Sequence, residues 1–173
     1  VSNAPFEFNW ETEWIPDQDE KIRIMARITR EDGYIYMTDV VKDISLIRPW
    51  ISVELCEPDD QPEGWFNRKG EFQEGFNISG NLEHAVEAKM VFKSWSPGYF
   101  NGIYNNDFLV FIKEGPRYHY YVHEFEIKDL HAFAKGKNIL TTGKTPLYHG
   151  KMVHGVEIQW PGIMVLIKYD QNK

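Results

Sequence analysis

The sequence predicts an all-β protein, an antiparallel β-sandwich, on three observations. Short stretches that alternate apolar and polar residues recur along the whole length, the period of a strand with one buried face. Gly and Pro turns separate them. Aromatic residues make up 15% of the chain, with six Trp, nine Tyr and eleven Phe; such side chains fill pleated, half-buried surfaces. At 173 residues the chain holds one sandwich of ordinary size, or one sandwich and part of another.

Taken in order, Phe6, Phe8 and Trp10 fall on one face of a first strand. In the next, Ile22, Ile24, Ala26 and Ile28 share a face opposite Arg23 and Arg27. Glu31, Asp32 and Gly33 make a turn, and residues 34–41 resume the strand pattern. Pro49 marks a break before a strand over 50–55. Residues 57–75 read as the longest loop, broken by Pro58, Pro62, Gly64 and Gly70; long ordered loops on a compact scaffold are disproportionately functional. Leu82, His84, Val86, Ala88, Met90 and Phe92 share one strand face opposite Glu83, Glu87, Lys89 and Lys93. Helix propensity there is tolerable, but the period of two decides for strand. A strand over 106–112 ends in a turn at 113–116, and 121–130 is the next strand. Residues 130–135 form a helical turn closed by Gly136. The chain closes on a β-branched strand over 161–169.

Charge and motif content narrow the function. The net charge is −7, from 26 acidic and 19 basic residues, and no Lys/Arg block is present. Nucleic-acid binding, which relies on clustered cations, is disfavoured. No apolar run is long enough for a membrane-spanning helix. The single cysteine, Cys56, has no internal disulfide partner and leaves the compartment open. The chain begins abruptly at Val1, which suggests a fragment of a longer polypeptide with its targeting signal upstream. No phosphate loop, nucleophile motif or distinctive carboxylate pair is legible, so binding is favoured over catalysis.

Two resemblances follow from particular residues. Residues 5–10 and 22–28, with the turn at 31–33, resemble the closing strands of a bacterial immunoglobulin-like domain. That similarity covers about residues 4–46 and implies a first segment over 1–47. Residues 88–95, 107–112, 121–130, 135–141 and 161–169 resemble a galactose-binding-like jelly roll. The Gly136, Lys137, Asn138 passage is the most specific part. This implies a jelly-roll sandwich over 48–173, of the kind found in carbohydrate-binding modules and accessory domains of secreted glycosidases. The segment from Gly143 to Gly155 is longer than the usual final hairpin. The resemblance implies a secreted or cell-surface location, carbohydrate as ligand and neighbouring domains as partners.

Carbohydrate recognition needs a flat ring to stack on the C–H face of a pyranose and polar groups for its hydroxyls. Three segments supply candidates: Trp65 in the long acidic loop; Trp95, Tyr99, Asn101 and Tyr104; and His149 with His154. Trp10, Trp14 and Trp50 are assigned to packing. His119 and His123, four apart on a strand, would stand roughly 13 Å from each other, too far to share a metal ion. Glu57, Asp59, Asp60 and Glu63 offer oxygen donors for a structural calcium, without the spacing of a calcium loop. No other cofactor is indicated. Asn77 and Ser79 fit a glycosylation pattern of low specificity. A structural module that assembles neighbours, or a polysaccharide-degrading enzyme on a sandwich, are the alternatives. The first would expose an apolar edge or face near residues 4–46; the second would need a concave groove lined by at least two acids with His or Tyr, which a flat or convex sheet face would exclude.

Overall fold

A computed structural model describes residues 7, 9–59, 72–99, 102–112, 115–142, 147–148, 151–152, 157–159 and 161–172. Among these residues the secondary structure is β-strand, with three single 3-10 turns. The strands are β1 (Ile22–Ile24), β2 (Arg27–Thr29), β3 (Ile35–Met37), β4 (Val41–Ile44), β5 (Ile51–Cys56), β6 (Phe72–Ile78), β7 (Ala85–Trp95), β8 (Ile103–Asn105) and β9 (Phe108–Phe111). They continue with β10 (Tyr120–Ile127), β11 (Gly136–Thr142), β12 (Leu147–Tyr148), β13 (Lys151–Met152), β14 (Glu157–Ile158) and β15 (Met164–Asp170).

Two antiparallel sheets face each other, as the sequence predicts. One runs β10-β7-β15-β5, with β14 also paired to β7, and the other runs β6-β11-β8-β9. The chain crosses between the sheets at the connections β5–β6, β6–β7, β7–β8, β9–β10, β10–β11 and β11–β14. Alternate residues of each strand therefore meet in a shared core: Ala88, Met90 and Phe92 from β7, Phe76 and Ile78 from β6, Ile103, Leu140, Val165 and Ile167. All are nearly inaccessible, and burying each large side chain contributes about 2 kcal/mol.

Register places the connections unevenly. Phe72 pairs with Thr142, Thr142 with Ile103 and Ile103 with Phe111. In the other sheet Cys56 pairs with Val165, and Trp95 with both Tyr120 and Glu157. The connections 57–71, 96–102, 112–119 and 143–156 therefore all leave and re-enter at one end, called here the loop pole. The opposite pole carries 79–84, the turn Asn106-Asp107 and 128–135.

Several expectations are corrected. The strand expected over 82–95 begins at Ala85, because Asn81 caps a 3-10 turn over Leu82–His84. Phe72–Ile78 is a strand, not part of the long loop; Glu74 on the core side and Gly75 on the other hid its period. The strand expected from 106 starts at Phe108, since Asn106 and Asp107 both take positive φ, the backbone of a two-residue hairpin turn. The helical turn covers only Leu130–Ala132, and Gly136, at φ +85°, opens β11. Of the first expected strand, the described residues Glu7, Asn9 and Trp10 are exposed and lie in no strand. His119 lies outside β10, whereas His123 lies within it.

Ahead of the sandwich, β1 pairs with β4 and β2 with β3 in a bent hairpin closed at Gly33. Met25, Ile28, Tyr34, Ile35, Tyr36, Met37 and Val41 are all exposed on it. Residues 12–18 form a strap across the outer face of the five-stranded sheet. The Asp17 amide donates to Val53 O, the Val53 amide donates to the Asp17 carboxylate, and Arg48 donates to Thr12 O, Glu13 O and Asp17. The Trp14 ring lies under the ammoniums of Lys168 at 4.0 Å and Lys89 at 4.8 Å. Burial alone would lower the Lys168 pKa, but its bonds to Glu13 and Glu87 more than offset this and hold it above the ordinary value. Trp14 thus packs as expected. Trp10 and Trp50 do not: at 45% and 62% exposed they meet no facing layer among the described residues.

Candidate functional site

The loop pole gathers aromatic and polar side chains on the outer face of the five-stranded sheet. Ala88, Met90, Phe92 and Ser94 of β7 are buried, so by alternation Lys93 and Trp95 face outward. Directly across the ladder, Tyr120 stands opposite Trp95 and Val122 opposite Lys93. On the other flank Glu157 is opposite Trp95, and the Gln159 amide donates to Lys93 O at 2.8 Å. By register the outer face carries the row Glu157, Trp95, Tyr120, in which Glu157 is covered at 3% exposed, followed by the row Gln159, Lys93, Val122. Tyr118 joins the first row edge-on to Trp95, with ring centroids 6.0 Å apart. The Lys93 ammonium lies 5.0 Å from the centre of the Tyr120 ring.

Hydrogen bonds between two connections hold this row. The Ser96 amide donates to His119 O, the Tyr118 amide to Ser96 Oγ and the Gly98 amide to Pro116 O, all at 2.9–3.0 Å. They extend the β7–β10 ladder beyond its last paired residues. Ser96 and Tyr118 sit at φ +58° and +62°, a region that side-chain-bearing residues enter at some energetic cost. Strain of this kind clusters where a side chain must be aimed. Tyr118 stays 51% and Tyr120 55% exposed, so the rings are held in place without being buried.

Beneath the row, the inner face holds polar groups sealed in the core. His123 stacks on Phe92 at 4.3 Å and meets Phe111 edge-on, while its Nε2 bonds to Ser94 Oγ at 2.9 Å. Burial pushes its pKa down to about 4, so near neutral pH it is an uncharged aromatic plug. Glu74, on β6, is buried as well, and burial pushes its pKa up to about 7 against a small opposing pull from the Ile163 amide.

At the far pole, polar groups are occupied with one another apart from Asn105 Oδ1. Asn138 Oδ1 accepts from the Ala134 amide, Asn106 Nδ2 and Asn105 Nδ2, while its Nδ2 donates to Ala134 O and Gly136 O. The Gly136 to Asn138 passage that resembles a jelly roll is therefore a structural latch. A concavity of about 680 Å³ on the nearby β5 edge is lined by Asp17, Glu54, Ser79, His84 and Tyr169. Glu54 already accepts from Ser79 N, Ser79 Oγ, Gly80 N and Tyr169 Oη. Burial raises its pKa, but these bonds outweigh that and hold it below the usual value. With that carboxylate fully engaged, the concavity is a weaker candidate than the loop pole.

Of the residues singled out from sequence, Trp95 lies in the row. Tyr104 does not: Ile103 and Asn105 point inward on β8, so Tyr104 faces outward on the opposite sheet, near Leu109. Trp65, Asn101, His149, His154 and the side chain of Tyr99 lie outside the described residues. The connections that carry Trp65, Tyr99, Asn101, His149 and His154 begin and end at the loop pole. Of the acidic group considered for calcium, Asp60 and Glu63 also lie outside the described residues, and the Asp59 carboxylate sits beside Gly75. Among the described residues no three His, Cys, Asp or Glu converge on a metal-sized site. Sequence reasoning missed Lys93, Tyr118, Tyr120, Glu157 and Gln159. The alternation of Lys93 with Trp95, and of Tyr118 with Tyr120, was the available signal.

No family model and no curated protein matches this sequence. Among solved structures, the chain is similar to a crystal structure of a BuGH86 variant in complex with neoagarooctaose. The TM-score is 0.50 at 14% identity, over 90% of this chain and 29% of that one. The wild-type BuGH86 complex with the same oligosaccharide gives 0.48 at 14% identity, over 89% and 28%. The likeness is one of fold. This chain spans less than a third of the length of the solved chains it matches.

Proposed function

We propose that this β-sandwich is a non-catalytic carbohydrate-binding accessory module of a larger secreted or cell-surface protein, with its binding surface at the loop pole. The observation that carries this reading is the outward row of Trp95, Tyr118 and Tyr120, flanked by Gln159 and Lys93. Rings supply stacking faces for pyranose C–H groups, and the Gln159 amide and the Lys93 ammonium supply both senses of hydrogen bond to hydroxyls. The jelly-roll resemblance and the fold shared with a protein solved in complex with neoagarooctaose support the same reading. Calorimetric titration with neutral galactan oligosaccharides, neoagarooctaose included, tests it. Binding should weaken at least about tenfold in Trp95→Ala, consistent with the loss of one stacking ring. Binding that Trp95→Ala and Tyr120→Ala leave unchanged would place the site elsewhere, and no binding to any glycan would end the proposal.

One observation favours a second reading, a module that assembles neighbours. The β1–β4 hairpin exposes Ile28, Tyr34, Ile35, Tyr36 and Met37, more apolar surface than a hairpin facing only water should carry. Concentration-dependent light scattering of the isolated chain checks it: growth in mass that Tyr36→Lys abolishes is the expected outcome.

A further inference from the structure

Where the hairpin leaves the strap lies a concavity of about 540 Å³ that shares no lining residue with the loop pole. Trp10, Ile15 and Ile22 give it apolar surface, and Gln18, Glu20, Lys21 and Arg23 give it polar groups. The Trp10 ring is 45% exposed, Ile15 and Ile22 are half-buried, and the four polar side chains are exposed. Ligand sites share this make-up: apolar surface for contact, and a few polar groups for orientation.

Both walls are held by the fold. On one side the strap is tied down. The Asp17 amide donates to Val53 O at 2.9 Å, and Arg48 donates to Thr12 O and Glu13 O at 3.0 and 3.2 Å. Trp14 is anchored beneath the Lys168 and Lys89 ammoniums. On the other side Ile22 pairs with Ile44 and Ile24 with Val41, so Arg23 stands between two residues of the β1–β4 ladder. A ligand that settles between walls already in place loses little to ordering them.

The polar groups indicate what kind of ligand fits. Gln18 Nε2 donates to Pro16 O at 2.9 Å, which steadies the amide and leaves its Oε1 to accept. Lys21 Nζ donates to Ser45 Oγ and has further hydrogens to give. Glu20 offers a carboxylate and Arg23 a guanidinium fork. Asp17 and Asp19 line a smaller hollow of about 260 Å³ that also takes in Gln18, Glu20 and Lys21, so neither sign of charge prevails. Such a mixture disfavours a phosphate or sulfate, which clustered cations hold, and equally a bare metal ion. It suits an uncharged ligand rich in hydroxyls, each of which donates and accepts. The C–H face of a pyranose rests on an indole ring.

We propose that this concavity is a second oligosaccharide-binding site, with Trp10 as its stacking ring and Gln18, Glu20 and Arg23 as its hydroxyl partners. For the class of its ligand it rests on the carbohydrate-binding function proposed above; for its place it rests on its own geometry. Two sites on one chain engage one polysaccharide bivalently, and the second contact then forms at the high effective concentration set by the first.

The test titrates neoagarooctaose, cellohexaose and xylohexaose separately into the wild-type chain, Trp10→Ala and Trp95→Ala. Calorimetry gives the stoichiometry, and NMR follows the Trp10 indole N–H and the Ile22 amide. With at least one of the three, the wild type should bind two oligosaccharides per chain, and both signals should move to saturation. Trp95→Ala should weaken one of the two events and keep the Trp10 and Ile22 shifts. Trp10→Ala should weaken the other at least about tenfold, with Ile22 then still at the concentrations that shift it in the wild type. Trp10 and Ile22 signals that stay still at several millimolar of every oligosaccharide would overturn the second site. If Trp10→Ala does not fold, the wild-type and Trp95→Ala titrations decide. A single event that moves Trp10 and survives Trp95→Ala would remove the loop pole and keep this site; a single event that Trp95→Ala abolishes would do the reverse.

Discussion

At the pole where Ile78, Asn105, Ile127 and Gly136 stand, polar groups bond to one another around Asn138, Asn105 Oδ1 alone being left over, and the positive φ of Asn106 and Asp107 belongs to a two-residue hairpin turn. At the other pole, marked by Cys56, Trp95, Phe111 and Thr142, connections are long, Tyr118 and Ser96 hold strained backbone, and Glu74 keeps an unmatched oxygen. The same strands run between both. One end is finished for stability, with every bond of Asn138 directed inward. The other end differs in kind: its positive-φ residues, Ser96 and Tyr118, lie outside any hairpin turn, and its unmatched oxygen belongs to an acid.

This contrast can be broken most forcefully at Asn138. Asn138→Ala removes five hydrogen bonds and leaves buried partners unsatisfied, a loss of about 4 kcal/mol by urea unfolding. Glycan binding by whatever remains folded should be unchanged. The Glu74→Gln variant comes next. The folded-state pKa of Glu74 lies above its unfolded value of 4.5, so the native state binds more protons between the two. Wild-type stability therefore falls as pH rises through that window, by up to about 3 kcal/mol, and Gln removes the fall. The smallest effect is expected at Tyr118. Tyr118→Gly relieves the positive φ and should raise stability by about 1 kcal/mol at most in thermal unfolding, while weakening ligand binding. A matching loss of stability and binding would mean that the Tyr118 ring is structural.

Much of the sandwich was legible in the sequence, because alternation reports which face of a strand is dry. Ala88, Met90 and Phe92 declared their face plainly. β6 did not, since a carboxylate occupies one of its inward positions and glycine one of its outward ones. The site was half legible. Trp95 was visible as a ring beside a Gly- and Asn-containing loop, but its partners Tyr120 and Glu157 are distant in sequence and meet it only through register. Tyr104 shows the converse failure: adjacency in one loop does not survive a crossing to the other sheet. Exposure of Trp10 and Trp50 was illegible as well, because a tryptophan's type says nothing about whether a facing layer exists.

Cys56, the chain's single thiol, lies inside the sandwich at the last residue of β5. With its pKa pushed up to about 12, by burial first and Glu54 second, the sulfur has almost no thiolate at neutral pH and no route to a reagent in the closed fold. Any alkylation under native conditions must therefore pass through a state in which the core around the end of β5 has opened. The wild-type chain thus carries its own chemical clock for opening of the core around Cys56, with no label or engineered cysteine required.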